Sequence, residues 1–293
     1  MGGIAGLVRG AVRGRPYLNL LRDAASAEGL EIGLLAGDRV ATERVRELLG
    51  VGGVVPPRGV GLLVHAATAA IDPAPAASEL AGQRGSGGRA LALLVGTAAE
   101  RTRLEERFLA QDGLGMGNLA HLASLEGAGG VAARRAVAEA LGPALAGTAR
   151  RLPALREVAS EIAIARAARR AATIGAAGVL PGTAMPVLTM LQARLVMELA
   201  TIHDREIGKE RAAELGAVIA AGFGWRAIGR GAVMLVPGPA FALRGGVAYA
   251  GTRAIGEAAA RWMSEGGDLA GGSLGALRER IEGALRRGRG GHR

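Results

Sequence analysis

The sequence predicts two folds in succession, an α/β domain built on a parallel sheet and then an all-α helical domain. Between about residues 31 and 150, short apolar runs alternate with amphipathic stretches, the pattern of strands joined by helical crossovers. From 151 onward only helical periodicities remain. Composition is the third observation: of 293 residues 49 are glycine, 49% are hydrophobic and 2% aromatic, which suits a chain packed through small side chains and excludes a disordered one. The expected divisions are an N-terminal arm over 1–29, the α/β domain over 30–150, the helical domain over 151–266, and a basic helix and tail over 267–293.

In the arm, Ile4, Leu7, Val8, Ala11 and Val12 follow helical spacing beside Arg9, Arg13 and Arg15, giving a short basic amphipathic segment. No long apolar run or cleavage site follows, so it does not read as a secretory leader. Ile32–Ala36 is the first expected strand, with helix periodicity over Asp38–Leu49 after it. Val60–Val64 is the second strand, ending at His65, and Asp72–Gly88 reads as a Gly/Pro/Ser-rich loop. Ala90–Val95 is the third strand, with helices over Ala98–Leu109 and Ala132–Leu145.

In the second half, Leu155, Val158, Ile162 and Ala165 form one apolar stripe, and Leu188, Leu191, Leu195, Leu199 and Ile202 another. Two later helices carry small residues at every fourth position: Ala212, Gly216, Ala220 and Gly224, then Ala242, Gly246, Ala250, Ala254 and Ala258. Leu235–Pro239 turns the chain between them. Such ridges let backbones approach closely, so a tight helical hairpin with the two ridges facing each other is expected. On that reading Gly246→Leu destabilises the fold.

The net charge is +10, with Lys209 the only lysine. Residues 1–150 hold 16 basic and 14 acidic side chains, whereas 151–293 hold 20 and 12, so the basic excess belongs to the helical half. With three Phe, two Tyr and two Trp, stacking platforms for nucleic acid are poorly supplied. A membrane surface or a protein partner suits the charge better, and Arg226, Arg230, Arg244 and Arg253 are the expected interface residues. The longest uncharged stretch, 171–193, is long enough to span a bilayer, yet Pro181 and Pro186 favour helix, turn, helix.

Catalytic patterns fail in context. Gly271–Gly275 fits a nucleophile elbow but lacks a preceding strand and downstream acid and histidine partners. Gly115–Ala120 fits a loose dinucleotide fingerprint but follows the turn Gln111–Gly113. A phosphate loop needs glycine amides, a lysine and a Ser/Thr for magnesium. After the first strand, Gly37–Arg44 keeps Gly37 alone and adds Asp38 and Glu43, which repel phosphate. Gly82–Arg89 is glycine-rich but precedes a strand. With no cysteine there is no thiolate nucleophile or Cys metal site, and the four histidines lack ligand spacing. No cofactor and no metal are expected; His65, with Asp72 nearby, is the one histidine at a strand end.

Met185–Gln192, Gly222–Arg230, Leu235–Gly238 and Ala248–Gly256, with the helix ending at Trp262, together resemble the YcjF-type domain of unknown function, a hydrophobic helical module associated with Era-like bacterial GTPases. The resemblance covers about residues 155–266. It implies that 30–150 is a degenerate GTPase-like α/β domain, with Ile32–Gly37 as its first strand and Ala90–Thr97 before its guanine-recognition loop. That loop normally reads Asn/Thr-Lys-x-Asp, whereas Gly96–Glu100 has neither lysine nor aspartate. The expectation is a pseudo-GTPase that acts as a non-enzymatic scaffold, its helical module contacting a membrane or a protein partner such as a GTPase, at the cytoplasmic face of the cell membrane. The competing readings are a GTPase with an unusual nucleotide site and a membrane-associated envelope structural protein.

Overall fold

A computed structural model describes residues 29–51, 60–176, 184–205 and 240–265, with side chains from 187 and from 244 onward in the last two segments. The elements are β1 (Ile32–Leu35), α1 (Arg39–Leu49), β2 (Leu62–Ala67), α2 (Ala74–Gly85), β3 (Arg89–Val95) and α3 (Ala98–Leu109). They continue with β4 (Leu119–Leu122), α4 (Ala128–Leu141), α5 (Leu145–Arg151), α6 (Arg156–Ala176), α7 (Ala184–Ile202) and α8 (Ala240–Ser264).

The four strands form one parallel sheet in the order β1-β2-β3-β4, with Ile32 opposite Leu62, Leu62 opposite Arg89 and Ala92 opposite Leu119. Every residue of β2 is buried, as a central strand covered on both faces must be. Side chains alternate across the sheet, so Leu63, Ala67, Ala90, Ala92 and Leu94 share one face. They pack with Ala77 and Leu80 of α2 and Leu104 and Phe108 of α3. Leu62, Val64, Ala66, Leu91 and Leu93 are buried on the other face, where α1 and α4 lie side by side. At that helix contact a Cβ on Gly130 would lie 3.0 Å from Leu48 Cδ2.

The crossovers therefore differ. The chain passes from β1 to β2 over one face and from β2 to β3 and β3 to β4 over the other, always stepping in the same direction. The β1–α1–β2 connection has the opposite hand to its two neighbours, a departure from the usual uniform handedness.

Three sequence expectations need correction within this domain. Asp72–Gly88 is not a loop: α2 occupies Ala74–Gly85, with Pro73 and Pro75 at its start, where a missing N–H costs nothing. Its buried face is mostly small, Ala76, Ala77, Leu80 and Gln83, which hides the apolar period. β4 was not foreseen. The helix expected over 132–145 runs from 128 to 141 and stops at Gly142, whose φ of 49° and following Pro143 break it.

The chain divides into two compact units, one reaching to Ala165 and including Ala200–Asp204, the other holding Arg166–Leu199 and the residues from Arg205. The boundary expected at 150 thus falls inside the first unit. In the second, Ala171, Leu188 and Ala248 form a small core with Ile174 and Leu191. Gly175 and Gly245 bring α6 and α8 together: a Cβ on Gly175 would lie 2.8 Å from the Arg244 carbonyl oxygen, and one on Gly245 3.1 Å from that of Ala172. Between α7 and α8, the buried Gln192 Nε2 donates to the buried Thr252 Oγ1 at 3.2 Å.

The second small-residue ridge does not make these contacts. Gly246, Ala250, Ala254 and Ala258 are exposed, whereas Gly245, Ala248, Thr252, Ile255, Ala259 and Met263 are buried. The helix carries small residues all round, so fourfold spacing alone does not select the packed face; the larger Ile255 and Met263 do. The facing ridge of Ala212, Gly216, Ala220 and Gly224, and the side chain of Ala242, lie outside the described residues. Of the uncharged stretch, α6 ends at Ala176 and α7 begins at Ala184. Among the described residues no helix is long and apolar enough to cross a membrane.

Candidate functional site

Because α1 and α2 leave their strands toward opposite faces, the loops after β1 and β2 diverge at the carboxyl edge of the sheet. In parallel α/β folds ligands bind outside the carboxyl ends of the strands. Here that edge is bridged by the protein itself. Asp38 is the N-cap of α1: its Oδ1 accepts the Ala41 N–H at 2.9 Å, and its Oδ2 accepts the Thr68 hydroxyl at 3.1 Å, from the loop after β2. The Ala41 amide chiefly, and then Thr68, hold the Asp38 carboxyl below its ordinary value. The negative end-group that a helix N-terminus attracts is thus already present, covalently attached.

Against Gly37, the residue before Asp38, lies His65. It is buried inside β2 rather than standing at its end, and its ring meets Phe108 at a centroid separation of 6.2 Å. Nδ1 is 3.4 Å from the Leu35 carbonyl oxygen, which only accepts, so Nδ1 carries the proton. Burial pushes the imidazole pKa down, against the opposing pull of that carbonyl. The position of the ring explains Gly37: a Cβ there would lie 2.3 Å from His65 Cε1. A glycine at this position serves the packing of an imidazole. Asp72, expected near His65, instead pairs with Arg107 at 3.2 Å and accepts the Ala74 N–H at 3.4 Å.

The loop after β3 is closed in the same manner. Gly96 has a φ of 144°, and Thr97 caps α3 in a reciprocal box with Glu100. Glu100 Oε2 accepts from the Thr97 backbone N–H at 2.7 Å and from its hydroxyl at 2.8 Å, and these bonds, the backbone one first, depress its pKa. Arg101 donates to the Gly96 carbonyl at 2.6 Å. The loop after β3 therefore ends in a self-satisfied cap. Thr97-x-x-Glu100 is a capping signature legible in the sequence. Thr68 left no local signal, because its partner lies 30 residues away.

The remaining histidines are dispersed: His121 pairs with Glu105 at 3.1 Å, and His203 Nε2 lies 3.1 Å from Ser160 Oγ. That serine hydroxyl donates to the Arg156 carbonyl at 2.8 Å, so its proton is committed to its own helix. Among the described residues no three His, Asp or Glu side chains gather as a metal site. Of the expected interface arginines, Arg244 is exposed and Arg253 is exposed and bonded to Glu257 at 2.7 Å. Arg226 and Arg230 lie outside the described residues. No family model, curated protein or solved structure matches this chain.

Proposed function

We propose that the chain is a non-enzymatic, GTPase-associated interaction protein whose α/β domain is a GTPase-like scaffold without a nucleotide site. The observation that carries this reading is Asp38, whose carboxylate occupies the α1 N-terminus and reaches across to Thr68. A triphosphate seated there would meet a fixed negative charge in place of a lysine. The second support is economy of chain. Only residues 50–61 connect α1 to β2, whereas GTPase switches need two segments that order around the γ-phosphate and magnesium.

The helical module is then the working surface, contacting a membrane or a protein partner at the inner face of the cell membrane. Its resemblance to the YcjF-type domain of Era-like GTPases supports a GTPase among those partners. The test is calorimetric titration of the full chain with GTP and magnesium. No binding heat is expected, and micromolar affinity would overturn the reading.

A further inference from the structure

The second unit carries an unpaired arginine belt. Arg166 of α6 bonds Glu198 of α7, while Ala171 and Leu188 share a core cluster, so the two helices run antiparallel in a fixed register. One turn further along, on the same faces, stand Arg170 and Arg194, two like charges with no carboxylate between them. Arg169 lies beside Arg170, and Arg244 of α8 lies at the level of Gly175, about 7–8 Å along α6 from Arg170 by helical rise. All four are exposed, and none forms an ion pair among the described residues. The sequence has no Asp or Glu over 162–197 or 240–256, so nothing on these helix segments neutralises the belt.

On α7 the apolar Val187 is 51% exposed and lies two helical turns from Arg194, on the same face of the helix. Aliphatic exposure beside long arginine stems, with guanidinium heads free to reach outward, matches a headgroup boundary. Nucleic acid would use the cations but offers nothing to the aliphatic side chains, and the belt has no aromatic platform. We propose that Arg169, Arg170, Arg194 and Arg244 dock this unit on an anionic phospholipid surface. This rests on the reading of the helical module as the contact surface and names its partner chemistry.

The full chain is sedimented with vesicles of phosphatidylcholine alone or mixed with phosphatidylglycerol. Binding is expected to the anionic vesicles only and to fall with salt. At about 1 kcal/mol per basic residue near such a surface, R170Q/R194Q weakens it roughly thirty-fold and either single variant about five-fold. The singles keep the test readable if the double variant folds poorly, and R103Q, on α3 of the other unit, leaves binding unchanged. Wild-type indifference to phosphatidylglycerol, wild-type affinity in R170Q and R194Q, or tighter binding to duplex DNA than to vesicles would each overturn the proposal. GTP affinity with intact lipid binding would sink the scaffold reading alone.

Discussion

The Thr68 hydroxyl donates to Asp38 Oδ2 at 3.1 Å while Asp38 Oδ1 accepts the Ala41 amide at 2.9 Å, so one carboxylate caps a helix and ties two strand-end loops together. Asp38→Ala removes both functions, and the lost cap alone costs about 0.5–2 kcal/mol. Thr68→Val removes only the bridge and costs less. Urea denaturation of both single variants and the double should give a coupling of about 0.5–1.5 kcal/mol, the net worth of one hydrogen bond. Strict additivity would mean that the bridge contributes nothing in solution.

Gly37 tests what the loop after β1 is for. If its glycine serves the packing of His65, even one methyl group forces the buried ring aside, since a Cβ would sit 2.3 Å from Cε1. Gly37→Ala should then destabilise the domain by about 1–3 kcal/mol, the usual cost of overpacking. A melting temperature equal to wild type would show that the loop relaxes freely.

His65 makes the first unit sensitive to mild acid. Its pKa is depressed in the fold from the ordinary 6.5, because burial disfavours the imidazolium. The unfolded chain therefore takes up its proton first, and the stability tied to the neutral ring, complete above about pH 6.5, is lost as pH falls toward the folded value. Asp38 and Glu100, also depressed, act only below their ordinary values of 3.8 and 4.5. Thermal melts should show a decline setting in below pH 6.5 that His65→Leu abolishes relative to its own neutral-pH stability. A decline of equal slope in the variant would assign it to other groups.

What the sequence disclosed follows from how local each signal is. The runs at Ile32 and Ala90 and the helix Ala98–Leu109 are long periodic patterns with caps or breakers, and the structure contains them with ends shifted by little or not at all. β4 is four residues, Leu119–Leu122, half-buried at a sheet edge, too short to separate from the glycine-rich turn before it. That Gly37–Arg44 lacks the second glycine and the lysine of a phosphate loop is read from residue types alone. What occupies that loop is not, since Thr68 and His65 reach Asp38, Gly37 and the Leu35 carbonyl only through the pairing of β1 with β2.

The two ends of the small-residue question can be separated by glycine substitutions in the helical unit. Gly175 faces α8 so closely that an added Cβ would lie 2.8 Å from the Arg244 carbonyl oxygen and 2.9 Å from Ala248 Cβ, backbone and a stub that have nowhere to rotate. Gly175→Ala should cost about 1–3 kcal/mol through forced separation of the helices, offset by the gain in helix propensity. Gly246, on the ridge first expected to pack, has open space around it. There the propensity term stands alone, and Gly246→Ala should stabilise α8 by up to about 1 kcal/mol. Thermal unfolding of the two variants, followed by far-ultraviolet circular dichroism, decides between the faces: opposite signs support the face through Gly245, Ala248 and Thr252. Loss of stability in Gly246→Ala would restore the hairpin ridge, because only a closely opposed backbone makes a single methyl group unwelcome at that position.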